Sequence, residues 1–471
     1  MEPKPKTAKL SRESPDDDCQ EDRLSALPDG ILCHILSFLP TKFAASTSVL
    51  STRWRYIFFG VPKIDLDVDD ILLIHPHQQG AGNDVNDEKV VESEKKFMEF
   101  VNRLLMNCES TSVVNEFRLL CRKSASCQKF GLSLWMSLVL PRGVQVLNIL
   151  VDGYTNFPQF EVFPSEIFTC KTLVVLKLYG WLGLKVPKGF CLPNLKVLHL
   201  HTLTLVGDNT GWLLSSSCPL LDDLVIDGVE LFDVGLIDFS SPSLTSLAWG
   251  QGLLGGKVVL NNPNLEYLEY AGDLYPLLSS NCKFKFLLKA ILDLENKNMP
   301  HEQDANQFCQ FICEMRNLEF FGLFGDSLQC LYQAGHLLPE FINLTHLELS
   351  TTRDLYLKYF ETLLKSTPNL KVLVCYLSLL KMYDDMHLHF SAKERPLCLN
   401  QYLREVEIKS FFIIPNYGFD LVRYLLKHGA VLQKMSIHVS TPEMPENWSS
   451  SAREKLNKFS KCSKNCKIML I

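Results

Sequence analysis

Residues 192–200 read Leu192-Pro193-Asn194-Leu195-Lys196-Val197-Leu198-His199-Leu200. Pro193-Asn194 is a turn signal that stops whatever precedes it. Leu198 and Leu200 then alternate with His199 and His201, which predicts a short strand with its leucines on one face and its histidines on the other. The same phrase is clear at Leu173-Leu176-Leu178, Leu221-Leu224-Ile226, Leu265-Leu268, Leu344-Leu347-Leu349 and Leu370-Leu373. Weaker copies begin at Val114, Val144, Leu244, Leu318 and Leu403. Consecutive starts are 21 to 33 residues apart except for one gap of 53, which predicts a degenerate copy near 284–294. Pro219, Pro242, Pro263 and Pro368 punctuate further copies as Pro193 does.

A strand-length apolar phrase at this period is the mark of a leucine-rich-repeat solenoid, in which each copy adds one strand to a parallel sheet and the leucines stack into a shared core. The spacing is uneven, and the asparagine of the tidier repeat classes is missing, so the expected solenoid is irregular. The intervening residues are expected on the concave face: Lys177, Tyr179, His199, His201, Asp223, Val225, Asp227, Tyr267, Glu269, His346, Glu348, Val374 and Tyr376. Aromatics, histidines and acids together suit recognition of another protein, so this face is the candidate target-binding surface.

Upstream, Arg23 to Phe59 is compact, apolar and helical in pattern. Pro28 and Asp29 suit a helix start. Ile31, Leu32, Ile35, Leu36 and Leu39 follow at helical spacing until Pro40. Lys42 to Leu50 reads as a second helix, and Ser51 as the N-cap of a third that carries Trp54, Ile57 and Phe58. The first helix is more broadly apolar than a stripe facing one small core needs, which leaves surface for a partner.

Leu27-Pro28-Asp29, the Ile31/Leu32/Ile35/Leu36 ladder, Leu39-Pro40-Thr41-Lys42 and Val49-Leu50-Ser51 through Arg53-Trp54-Arg55 resemble an F-box of the form common in plant proteins. The resemblance implies a trihelical module that docks a Skp-type adaptor and, through it, a cullin, with Leu27, Pro28, Ile31, Leu32, Ile35, Leu36, Leu39, Val49, Leu50 and Trp54 as adaptor-binding candidates. Phe43 stands where such sequences usually carry an acid. From Leu403 onward, Val406 and Ile408, Leu421 to Leu426, Leu432 to Ile437 and Cys466 to Leu470 resemble the FBD region that follows the repeats in many plant F-box proteins.

The expected organisation is therefore α/β: a disordered tail over 1–21, an F-box over 22–60, a linker over 61–96, the solenoid over 97–395 and an α/β FBD cap over 396–471. A helix is expected from Phe97 to Cys108. The expected function is recruitment of an unknown target protein to an SCF-type ubiquitin ligase. Two alternatives remain open: a hormone-like small-molecule receptor and a non-ligase scaffold.

Composition excludes several other classes. A net charge of -6 with both signs spread along the chain gives no footprint for nucleic acid. No apolar run approaches the roughly 18 to 20 residues of a membrane span. Sixteen cysteines scattered behind a charged, leaderless N-terminus read as reduced thiols of the cytoplasm or nucleus. No cofactor is expected, and the chain is read as non-catalytic. Gly250-Gln251-Gly252-Leu253-Leu254-Gly255 spells a dinucleotide fingerprint, but Lys257 to Leu260 and Asn262-Pro263 follow where a helix would have to start. His75/His77, His199/His201 and His387/His389 are pairs with no third ligand in sequence, and Cys309/Cys313 and Cys462/Cys466 lack zinc-ribbon spacing, so no metal is expected.

Overall fold

A computed structural model describes residues 23–68, 87–107, 113–122, 131–152, 162–185, 187, 189–206, 212–232, 236–250, 257–274, 283–295, 301–334, 338–351, 357–377, 395–411, 417–439 and 448–471. The tail expected over 1–21, most of the glycine fingerprint, and the pairs His75/His77 and His387/His389 lie outside them.

The leucine phrase becomes one open sheet of fifteen parallel strands laid side by side in chain order. They are Lys63–Asp67, Glu116–Arg122, Val146–Asp152, Val175–Gly180, Val197–His201, Asp223–Asp227, Ser246–Trp249, Tyr267–Gly272, Lys289–Leu294, Phe320–Gly325, His346–Thr351, Val372–Leu377, Glu405–Phe411, Lys434–Val439 and Lys467–Leu470. In every copy anticipated from sequence the strand starts two residues after the first apolar residue, which is itself buried, as at Leu195, Leu244 and Leu318. The degenerate copy is Leu287 with the strand Lys289–Leu294.

Two rows of hydrogen bonds hold neighbouring copies in step. Along the backbone, the carbonyl just ahead of a strand accepts two N–H groups from the next copy, as Val174 O does from Lys196 (2.8 Å) and Val197 (3.1 Å) and Lys196 O from Asp222 (2.9 Å) and Asp223 (3.0 Å), until the last step, where Gln433 O accepts from Lys467 alone (2.9 Å). In the side chains, Asn194, Asn264, Asn317 and Asn369 donate to the carbonyls of Lys171, Pro242, Lys285 and Ile342 at 2.7–2.8 Å. An asparagine row thus exists, in the turn ahead of the strand and not at the place where sequence reading looked for it.

The stretch 61–96 is more than a linker. Ile64 and Leu66 bury into the core, Lys63–Asp67 pairs with Glu116–Leu120, and Pro62 O accepts from Asn115 and Glu116 at 2.7 and 3.2 Å, so this is the first strand of the sheet. The helix expected at Phe97 already begins at Asp87 and runs to Asn107.

Opposite the main sheet, the described connections change character along the chain. Between Val162 and Val259 they form two small parallel sheets of four and three short strands, and Lys257–Val259 confirms a strand where the fingerprint would need a helix. From Glu302 on they are mainly helices, including Glu302–Cys313, Ser327–Ala334, Leu357–Lys365 and Tyr417–His428. The C-terminal region caps the twelfth strand by continuing the sheet with three more. Among the described residues, no helix is long and apolar enough to cross a membrane.

Candidate functional site

The N-terminal helices are α1 (Asp29–Ser37), α2 (Thr41–Ser46), extended by a short 3-10 turn Thr47–Val49, and α3 (Thr52–Phe59). Ser51 caps α3 as expected, its Oγ accepting from Trp54 N at 3.3 Å. Arg53 ties the start of α3 to the entry of α1: it donates to Asp29 Oδ1 at 2.7 and 3.0 Å, to Leu27 O at 2.7 Å and to Ser25 O.

This bundle divides the ten adaptor-binding candidates. Leu32, Leu36 and Trp54 are buried with Ala44, Ile57 and Phe58, so these three build the trihelical core and cannot present themselves to an adaptor. Leu27 is partly buried against the same core. Pro28, Ile31, Ile35, Leu39, Val49 and Leu50 face outward, with Val49 84% and Leu50 66% exposed. Phe38, Phe43 and Tyr56 are also exposed and were not among the adaptor-binding candidates read from sequence. Their signal was present: each lies out of phase with the buried positions of its own helix.

The bundle does not hang free. Thr41 is buried, its Oγ1 accepts the backbone N–H of Asp65 at 2.6 Å, and the core of α1–α3 runs without a break into Val61, Ile64 and Leu66. The first strand's outer edge is thereby covered by the helical module.

The second surface is the open face of the sheet. The eleven polar and aromatic residues expected on it, Lys177, Tyr179, His199, His201, Asp223, Asp227, Tyr267, Glu269, His346, Glu348 and Tyr376, point away from the core and none is fully buried. Val374 is the exception among the wider set, being 2% exposed.

The face carries two contact networks. In the first, Tyr179 stacks on His201 (4.6 Å, 12°), His201 Nδ1 lies 3.5 Å from Asp227, and His199 Nε2 lies 2.8 Å from Asp223. Burial pushes the His201 pKa down despite Asp227, and burial, helped by Asp223, pushes that of Tyr179 up. The Asp227 carboxylate is thus oriented by a ring whose positive form burial disfavours.

The second network is longer. Lys289 Nζ sits over the rings of Tyr267 (5.3 Å) and Phe320 (4.6 Å), and Phe320 stacks on His346 (4.6 Å, 16°). Tyr267 donates its hydroxyl to Glu269, and Glu348 lies 3.2 Å from His346 Nε2 and accepts from Tyr376 Oη at 3.3 Å. Lys409 donates to Tyr376 Oη at 3.1 Å, a bond that raises the lysine's pKa, and Glu407 lies 3.8 Å from Lys409 and 2.7 Å from His438. Sequence reading missed Lys289, Phe320, Lys409, Glu407 and His438, since the phrase is weak in those copies. Their alternation with Ala290, Phe321, Val406, Ile408 and Ile437 would have shown them.

Rings already stacked and charges already oriented lose little freedom on binding, so the face is suited to holding another protein. Among the described residues no group of three or more histidine, cysteine or acidic side chains is placed to hold a metal ion. Cys309 lies on the buried side of its helix, where burial pushes its thiol up to about 11.

Comparison with known proteins gives the same two parts. Residues 24–63 match the F-box domain profile, and residues 132–286 match the profile of the leucine-rich repeats of the FBD-associated F-box protein At5g56370. The F-box/LRR-repeat protein At4g14096 of Arabidopsis thaliana is 31% identical over 468 residues, covering 96% of this chain and 95% of that one. F-box/LRR-repeat protein At4g14103 of the same plant is 33% identical over 75% of this chain and 91% of its own. The putative F-box/FBD/LRR-repeat protein At3g59240, also from Arabidopsis thaliana, is 30% identical over 90% and 85%. With an N-terminal F-box, a repeat sheet behind it and full-length relatives of the same organisation, the chain belongs to the plant F-box/FBD/leucine-rich-repeat protein family.

Proposed function

We propose that this chain is the substrate-recruiting subunit of an SCF-type ubiquitin ligase, holding a Skp-type adaptor with its N-terminal helices and a target protein with the open face of its sheet. One observation carries the first half. The trihelical core is complete with Leu32, Leu36, Ala44, Trp54, Ile57 and Phe58, yet Ile31, Ile35, Leu39, Val49 and Leu50 remain outside it. Apolar side chains grouped this way on a soluble surface are the usual mark of a partner.

The chain forms and breaks no bond. Holding target and ligase together raises the effective concentration of target lysines near the ubiquitin-loaded enzyme, which converts a bimolecular encounter into an intramolecular one. Its cellular place is the cytoplasm, the nucleus or both, the reading that sixteen scattered cysteines favour.

The test is capture of purified Skp-type adaptor by the full chain and by a Val49→Asp/Leu50→Asp variant. Both positions are exposed, so the variant retains its fold. Capture by the parent and a loss of at least about a hundredfold in the variant, the effect of removing two apolar anchors, is the expected result. A folded parent that captures no adaptor overturns the proposal.

A further inference from the structure

At the C-terminal end of the open face lies a pocket of about 190 Å³, roomy enough for a side chain. Val372, Val406 and Ile471 supply its apolar lining, and Glu405, Glu407, Lys434, Ser436 and His438 its polar groups. Glu407 and His438 satisfy each other at 2.7 Å. The remaining three do not. Glu405 and Lys434 stand opposite one another in register on neighbouring strands, yet among the described residues they form no ion pair. Ser436 is 4% exposed as a residue, lines the pocket and has no hydrogen-bond partner among the described residues, its hydroxyl remaining accessible. An accessible hydroxyl without a protein partner is open to bond whatever enters the pocket.

We infer that this pocket is a subsite of the target-binding face and takes a primary carboxamide, the side chain of a glutamine or asparagine of the target. Lys434 only donates, the Glu405 carboxylate only accepts, and the Ser436 hydroxyl does both. A carboxylate in the pocket would meet Glu405 and Glu407, and an ammonium or guanidinium would meet Lys434. A neutral group with one acceptor oxygen and two N–H donors satisfies Lys434 and Glu405 together and leaves Ser436 the remaining bond. A main-chain peptide group offers only one N–H and so leaves Glu405 or Ser436 without a donor, whereas the carboxamide that ends a glutamine or asparagine side chain serves both. The region beyond residue 396 then contributes to recognition as well as closing the sheet.

The inference rests on the target-binding reading of this face, and its test is independent of any particular target. Saturation-transfer NMR on the full chain would compare the N-acetyl, N-methylamide derivatives of glutamine, glutamate, methionine and glycine. The expected result is saturation of the glutamine side-chain methylenes, with binding about fivefold stronger than for methionine or glutamate, the scale of one net hydrogen bond. Glu405→Ala and Lys434→Ala, both at exposed positions, each abolish that preference, whereas Val49→Asp/Leu50→Asp leaves it unchanged. Equal signals for glutamine and glycine, equal signals for glutamine and methionine, or no glutamine signal overturns the inference. The target-binding reading stands or falls separately, on capture of a target by the full chain and its loss in Phe320→Ala, which leaves this pocket intact.

Discussion

Gly180 ends the fourth strand with φ +112°, and a Cβ built there would lie 1.7 Å from the carbonyl oxygen of Val151. Gly143 is also left-handed, at φ +81°, but has nothing within 4 Å. Gly143→Ala therefore costs only backbone strain, about 1 kcal/mol, whereas Gly180→Ala must also push two strands apart and costs clearly more. Denaturant midpoints of the two variants measure the difference. His428 is a different kind of constraint. It is 8% exposed, its Nδ1 has no partner among the described residues, its ring packs on Tyr424 at 4.8 Å, and burial with Arg395 and Lys427 pushes its pKa below 6.5. The unfolded chain takes up that proton before the folded one does. The contribution to stability is therefore complete above about pH 6.5, the unfolded value, and is lost as pH falls from there through the folded value. Thermal melts between pH 7.5 and 5 should show this decline, and His428→Gln should flatten it. Neither feature can be read from sequence, because each depends on what the fold brings against the residue.

Between elements, the junction of α2 with the first strand is the contact to test. Thr41→Val leaves the Asp65 N–H buried without its acceptor, at a cost of about 1–3 kcal/mol. Hydrogen exchange should show the Asp65 amide losing protection while amides near Leu347 keep theirs. The asparagine row is tested in the same way: Asn264→Ala and Asn369→Ala each remove one side-chain-to-carbonyl bond, about 1 kcal/mol apiece, and the two add because they sit four strands apart. At this scale the repeat was highly legible, since Leu195, Leu198 and Leu200 report strand, face and register together. Lys63–Asp67 was not. Lys-Ile-Asp-Leu-Asp has two apolar residues among three charges, and it becomes a strand because Glu116 to Leu120 and the helical module flank it. The asparagines stood in plain view beside the prolines, but their role lies in the neighbouring copy's carbonyl. On the open face, alternation told which side chains point outward but not which ones touch.

As a whole molecule the chain shares one apolar core that runs from Leu32 to Cys466 through every strand of the main sheet but the outermost. Its parts should therefore fail to stand alone. Deleting 396–471 strips the Val372–Leu377 strand of its neighbour and uncovers the apolar side chains that Leu403, Val406, Leu425 and Leu426 pack against, so the truncated chain should aggregate under conditions where light scattering shows that the full one does not. Because the helical module is welded to the first strand, distance from the ligase is counted in strands. At about 4.8 Å per step, the tyrosine–histidine cluster on the fourth to sixth strands lies roughly 14 to 24 Å along the sheet from that weld, and the carboxamide pocket roughly 55 to 65 Å. The repeat array is thus a ruler. A target that shifted its grip by one strand would carry its lysines about 5 Å nearer to or farther from the ubiquitin donor, so gain or loss of a single repeat could retune which lysine is modified without altering a single binding residue.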